Sequence, residues 1–436
     1  MSMIIYVVSP GDTLFSIADQ YDLSVERVIA DNGILTPSRL AVGQALILRI
    51  PDRTVTVREG ETLTSLARAN QTDVITLYRN NPTLTGREEL IAGEEIVISY
   101  LDEEPIASLY VNGYTYPSIE EDVLRTTLPY LSYVTSFSYG FLESGELIAP
   151  NDERVLQTAE EYSARPIMLL STLRENGSFS SDKANLLLRD ETLQQRVIDS
   201  VIREMQEKGF RGIDVDFEYV DPSLREEYAA FIGRLRQAAG VIDKLVFVSL
   251  APKTSSEQRG LQYEAHDYAL LGAASDRSLL MTYEWGYRFS EPMAVAPIRS
   301  VRRVVDYAIS QISPEKIFLG LPSYGYDWPL PFVRGESEGR SLSNPAAMDL
   351  AARYGAIIEY DEVDQSPHFV YTAEDGSAHE VWFEDVRSVR AKLALVSEYR
   401  LGGVSVWNML RYFPGIWSMI DATVEIRSDM EEMGGK

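Results

Sequence analysis

Gly212-Ile213-Asp214-Val215-Asp216-Phe217-Glu218 alternates without a break. Side chains along a strand point to opposite faces in turn. Ile213, Val215 and Phe217 therefore share one face, and Asp214, Asp216 and Glu218 share the other. The apolar face calls for helices packed outside it, so the acids point inward. Three inward carboxylates in a row repel one another, and burial adds a desolvation cost. Stability gains nothing from that arrangement, whereas catalysis does. One carboxyl held protonated above its ordinary range is what a general acid requires. A solvated edge strand or a divalent-cation site is the alternative. The apolar alternate face and the capped helical segment before it argue against the edge.

Seven further runs read as strands, at 109–113, 133–138, 167–171, 245–250, 279–283, 317–322 and 403–407, with 212–217 as the fourth of eight. Several are almost wholly apolar, as strands covered on both faces are. Amphipathic segments at 119–128, 193–208, 223–239, 296–312 and 386–399 lie between them. The fold class is therefore α/β, a (β/α)8 barrel with its site at the carboxyl ends of the strands. The long stretch between strands seven and eight is an insertion. Within it, 368–372 and 379–383 flank Asp375-Gly376 and predict a β-hairpin.

Composition narrows the function. The 436 residues carry 40 Lys and Arg against 66 Asp and Glu, a formal charge of −26. That balance excludes a generic nucleic-acid binder and argues against docking on an anionic membrane. No apolar run is long enough to insert into a bilayer. With no cysteine there is no disulfide, iron–sulfur cluster or catalytic thiol. His266, His368 and His379 have no metal-ligand spacing, so neither a metal site nor a cofactor is expected. The stretch Met1 to Pro10 has no basic start and only a short apolar run, unlike a secretory signal.

The first hundred residues repeat. Residues 6–14, ending Pro10-Gly11-Asp12-Thr13-Leu14, match 55–63, ending Glu59-Gly60-Glu61-Thr62-Leu63, at an offset of 49. The offset persists through Ile17/Leu66, Ala18/Ala67 and Asn32/Asn81, then becomes 50 at Leu40/Leu90 and Gly43/Gly93. Such an offset marks duplicated units. Each reads strand, helix, helix, strand: a small α+β module. Asp12 or Thr13 caps the first helix and Ser24 the second. Asp102-Glu103-Glu104-Pro105 is a short polar boundary behind which the modules are expected to act as separate units.

Pro-Gly-Asp-Thr-Leu-x-x-Ile-Ala, an Asn about twenty residues on, then Leu-x-Val-Gly-Gln-x-Leu-x-Ile, resembles the LysM module over 4–50 and, with Glu61 for Asp, over 54–99. The resemblance implies binding of N-acetylglucosamine-containing glycans. The groove would lie between the loop of Gly11, Asp12, Thr13 and Leu14 (Gly60, Glu61, Thr62 and Leu63) and the loop at 33–37 (82–85). Those residues also build a turn and a cap. The run ending in Glu218 resembles the Asp-x-x-Asp-x-Asp-x-Glu signature of glycoside hydrolase family 18, with Arg211 for the first Asp. Met281-Thr282-Tyr283, Ala251-Pro252-Lys253-Thr254 and Gly402 to Trp407 resemble that family's strands six, five and eight, and the likeness spans 106–425.

That resemblance implies substrate-assisted cleavage of β-1,4 bonds beside N-acetylhexosamine. Glu218 would be the acid and base, and Asp216 would orient the acetamide. Tyr283 would bond its carbonyl, Asp214 would share a proton with Asp216, and Trp407 would floor the pocket. Glu284 either binds sugar hydroxyls or pairs with an arginine. Two LysM modules before such a barrel resemble the cortical-fragment-lytic, germination-associated N-acetylglucosaminidases of spore-forming bacteria. The implied substrate is peptidoglycan or cortex glycan, and the implied place is the spore coat and cortex region. A chitinase or chito-oligosaccharide hydrolase is the nearest alternative; a non-catalytic glycan-binding coat protein belongs to another class.

Overall fold

The computed structural model describes residues 3–87, 89–101, 103–172 and 180–428; Asp102 of the polar boundary lies outside them, as do Met1 and Ser2. Eight strands form the barrel: β1 (Ser108–Thr115), β2 (Tyr133–Phe141), β3 (Arg165–Ser171), β4 (Gly212–Asp216), β5 (Leu245–Leu250), β6 (Arg277–Leu280), β7 (Ile317–Pro322) and β8 (Gly403–Trp407). Each is parallel to its neighbour, and β1 pairs with both β8 and β2, which closes the sheet. All eight strands lie where the sequence places them, with ends shifted by up to three residues; β4 stops at Asp216 rather than Phe217 and β6 at Leu280 rather than Tyr283.

Inside the barrel, Tyr110, Tyr133, Phe247 and Phe318 pack ring on ring beneath the site. This aromatic plug dictates a glycine on β8. A Cβ on Gly403 would lie 2.6 Å from the Phe318 ring and 2.4 Å from the Tyr110 carbonyl. Outside, Ile213, Val215 and Phe217 are fully buried among the surrounding helices, among them Glu191–Glu207 and Arg225–Val241. The alternation of the fourth strand is thus the barrel wall itself.

The insertion is larger than one hairpin. Ser366–Thr372 and Ala378–Trp382 pair antiparallel around the Asp375-Gly376 turn, as expected. They belong to a five-stranded sheet with Tyr324–Leu330, Arg340–Ser343 and Glu359–Asp361.

Each N-terminal unit is an antiparallel pair with two helices, Ile4–Val7 with Ala45–Leu48 and Pro51–Thr56 with Glu95–Tyr100. The repeated asparagine explains itself. Asn32 donates to the carbonyls of Val28 and Ile47 and accepts from the Ile47 amide, tying the second helix to the strand. Asn81 does the same with Leu77 and Val97.

The units are not free of the barrel, and here the structure departs from the sequence expectation. All four residues of Ala45–Leu48 are buried. Leu46 and Leu48 fill the unit's own core, while Ala45 and Ile47 join the barrel's core. Asp421, on helix Pro414–Thr423, takes Arg49 at 2.8 Å and Arg79 at 3.2 Å, one arginine from each unit. The Ile358 amide donates to the Val42 carbonyl, and the Tyr162 hydroxyl accepts from the Gly86 amide. A strand this short and apolar on both faces needed a second cover, and the barrel supplies it.

Candidate active site

β4 ends at Asp216, and Glu218 stands just past it at the carboxyl end of the barrel. Asp214 lies deepest. Its carboxylate accepts 2.5 Å from the Tyr114 hydroxyl of β1 and about 3.2 Å from Ser249 of β5. Burial pushes its carboxyl up to about 6, against those two hydrogen bonds, which favour the charged form. Asp216 is one step higher. Among the described residues its Oδ1 is buried without a hydrogen-bond partner. Burial first, then the charges of Glu218 and Asp214, hold its carboxyl well above the usual range. Glu218 is raised too, by burial and by Glu284. In this conformation the hydrogen bonds of the Asp214 carboxylate come from Tyr114 and Ser249, and none among the described residues joins it to Asp216.

Tyr283 follows β6 and reaches across to β7. A Cβ on Gly320 would sit 2.8 Å from the Tyr283 ring, so glycine at that place makes room for it. Burial and the charges of Asp216 and Glu218 keep the Tyr283 hydroxyl protonated. Trp407 closes β8, its ring set among Tyr114, Tyr116 and Phe137 with centroids 5.4 to 6.2 Å away. Asp216, Glu218, Tyr283, Glu284 and Trp407 all line one cleft of about 520 Å³. The sequence-selected barrel residues therefore converge on one place.

Glu284 pairs with no arginine among the described residues. It accepts from the Tyr324 hydroxyl at 2.5 Å and from Tyr326 at 3.1 Å. Both tyrosines come from Tyr324–Leu330, the first strand of the insertion. The sequence reading missed them, and it missed Tyr114 and Ser249. The alternation Tyr324-x-Tyr326 directly after β7 was the available signal. Arg211, at the opposite end of β4, donates to the Asp243 carbonyl at 2.6 Å and is far from the acids.

The N-terminal loop residues do not join this cleft. Asp12 accepts from the Tyr6 hydroxyl and the Ser9 amide, each at 2.7 Å. Thr13 and Thr62 cap their helices in reciprocal capping boxes with Ser16 and Ser65. Glu61 accepts from the Arg58 amide. Leu14 is buried and Leu63 partly so. Gly11 and Gly60 have φ of 93° and 81° with open space beside them. The carboxylates and hydroxyls of these loops are engaged within their own turns and caps.

This fold and this row of acids define a class. The chain belongs to the glycosyl hydrolases family 18, whose pattern covers residues 110–411, and residues 6–49 and 55–99 match the LysM domain. Over 424 residues it is 37% identical to the cortical fragment-lytic enzyme of Bacillus subtilis (strain 168), covering 96% of this chain and 97% of that one. The crystal structure of the Bacillus cereus spore cortex-lytic enzyme SleL superposes with a TM-score of 0.81 at 34% identity, over 98% of this chain and 99% of the other. A chitinase from Chromobacterium violaceum is similar over 72% of this chain and 98% of its own, with a TM-score of 0.67 and 28% identity.

Proposed function

We propose that this chain is an N-acetylglucosaminidase of spore-cortex peptidoglycan, cutting the β-1,4 bond on the reducing side of N-acetylglucosamine. The names of the full-length relatives supply the substrate. One observation carries the chemistry: the partnerless buried Oδ1 of Asp216, between Asp214 and Glu218. An unpaired buried acceptor costs about 1–3 kcal/mol and is suited to a donor that arrives with substrate. The N–H of a 2-acetamido group is such a donor.

In this reading the acetamide carbonyl attacks the anomeric carbon while Glu218 gives its proton to the leaving oxygen. Asp216 holds the acetamide N–H, Tyr283 donates to its carbonyl oxygen, and Asp214 supports Asp216 by sharing a proton. Trp407 floors the sugar. Glu218 then takes a proton from water, which opens the oxazolinium ring with retention. The substrate supplies the nucleophile, an exception to the scheme of two enzyme carboxylates. Residues 106–425 form the catalytic domain, and the modules at 4–50 and 54–99 bind glycan through the loops opening at Gly11 and Gly60. The setting is the spore coat and cortex.

Borohydride reduction of the products and mass spectrometry test this reading. Reduced N-acetylglucosamine with retained β configuration is expected, and Glu218→Gln should lower kcat by about 10²- to 10⁴-fold, the scale of a lost general acid. Reduced muramic residues would make the enzyme a muramidase. Turnover of chitin oligomers alone would make it a chitinase.

A further inference from the structure

A polymer of alternating N-acetylglucosamine and muramic acid differs from chitin in its carboxylates. Each N-acetylmuramic residue carries a lactyl carboxyl group, present either as a free carboxylate or as an amide to a stem peptide that ends in its own carboxylate. A formal charge of −26 opposes the approach of an anionic polymer, and a cation beside the site offsets that locally. Helix Ile298–Ile309 follows β6 and carries Arg299, Arg302 and Arg303. Arg299 pairs with Asp364 at 2.9 Å and Arg302 with Glu398 at 2.6 Å. Arg303 differs. Among the described residues its one hydrogen bond is to the Ser300 hydroxyl at 3.2 Å, and no carboxylate lies within 4.0 Å of its guanidinium.

Arg303, exposed on its helix, lines a cavity of about 430 Å³ together with Tyr283 and Glu284. Those two residues, with Pro252 and Tyr263, also line the catalytic cleft. The cavity thus opens from the place where the reacting sugar sits. Thr254, Ser255, Gln258 and Ser300 give it hydroxyls and an amide rather than an apolar lining. With N-acetylglucosamine in the reacting position, both neighbours along the strand are muramic residues. A guanidinium meets a carboxylate through two parallel N–H donors.

We infer that Arg303 is a specificity residue of this enzyme and receives a carboxylate of the muramic residue beside the reacting N-acetylglucosamine. The inference rests on the proposed peptidoglycan substrate. It assigns Arg303 no part in bond cleavage, so its effect belongs to substrate capture.

The test compares full-length wild type, Arg303→Ala and Arg303→Lys on four tetrasaccharides. Three alternate glucosamine and muramic acid, with the lactyl group as free acid, as carboxamide, or extended by one L-alanine. The fourth is chitotetraose. In wild type, kcat/KM for the free acid should exceed that for the carboxamide by about tenfold, and 0.5 M NaCl should erase most of the excess. Arg303→Ala should abolish the preference and Arg303→Lys keep part of it. A preference confined to the alanine-extended substrate would place the carboxylate on the stem; one confined to the free acid would place it on the lactyl group. Equal losses on acid, carboxamide and chitotetraose would reduce Arg303 to a structural residue and overturn the inference. So would an acid preference that survives in Arg303→Ala. Calorimetric binding of the same sugars to Glu218→Gln, with and without Arg303→Ala, reads the preference without turnover. If wild type cleaves chitotetraose alone, the substrate assignment fails, and the binding ratio still decides the role of Arg303.

Discussion

At Glu284 the backbone turns left-handed, with φ 66°. A non-glycine residue held there costs on the order of 1 kcal/mol or more. The Tyr324 and Tyr326 hydroxyls hold the carboxylate that this turn directs at them. The charge so placed is one of the two causes that raise the Glu218 carboxyl, after burial. A general acid must be protonated to act, so activity is lost as pH rises through its pKa. Glu284→Gln keeps an acceptor for the tyrosines and removes the charge. Glu218 should then lose its proton at lower pH, and the alkaline limb of the kcat/KM profile should move acidward. An alkaline limb that stays in place would show that Glu284 does not act on Glu218 through its charge. The acids themselves were legible because a strand exposes its two faces in strict alternation. For Tyr324 and Tyr326 the alternation after β7 marks a strand with both rings on one face, but not its partner, since Glu284 lies 40 and 42 residues away in the chain.

Among the elements, the modules show how a repeat records geometry. Asn32 and Asn81 stand at the same place in each unit and make the same three hydrogen bonds between helix and strand. Asn32→Ala leaves the Ile47 amide and carbonyl without the side chain that pairs with them. A loss of about 2–4 kcal/mol in chemical denaturation is expected, since each stranded group costs roughly 1–3 kcal/mol and water recovers part of that. A change below about 0.5 kcal/mol would mean that the helix and strand hold together without it. The sequence showed the duplication and both caps. It also held the sign of docking, four consecutive apolar residues at 45–48 in a module too small to bury both faces. The partner surface, helix Pro414–Thr423, could not be read, because pairing Arg49 and Arg79 with Asp421 spans more than 340 residues of chain.

Over the whole molecule, module and barrel share one core. Ala41, Ala45 and Ile47 belong to the same buried cluster as Trp417 and Ile420 of the barrel's last helix. Two bodies joined by a limp tether melt separately, whereas bodies with a common core melt together. Calorimetry of the full chain should therefore show the first module and the barrel unfolding in a single transition. A separate low-temperature peak, absent after removal of residues 1–50, would contradict the shared core. The seam has a further consequence for work on an insoluble wall. A flexibly leashed catalyst sweeps a sphere and samples every bond within its radius. Here the anchor and the cutting edge keep one bearing and one span. If the modules grip glycan as proposed, such a tool behaves as a calliper: where it holds the wall sets, by a fixed number of sugars and a fixed face of the strand, where it bites.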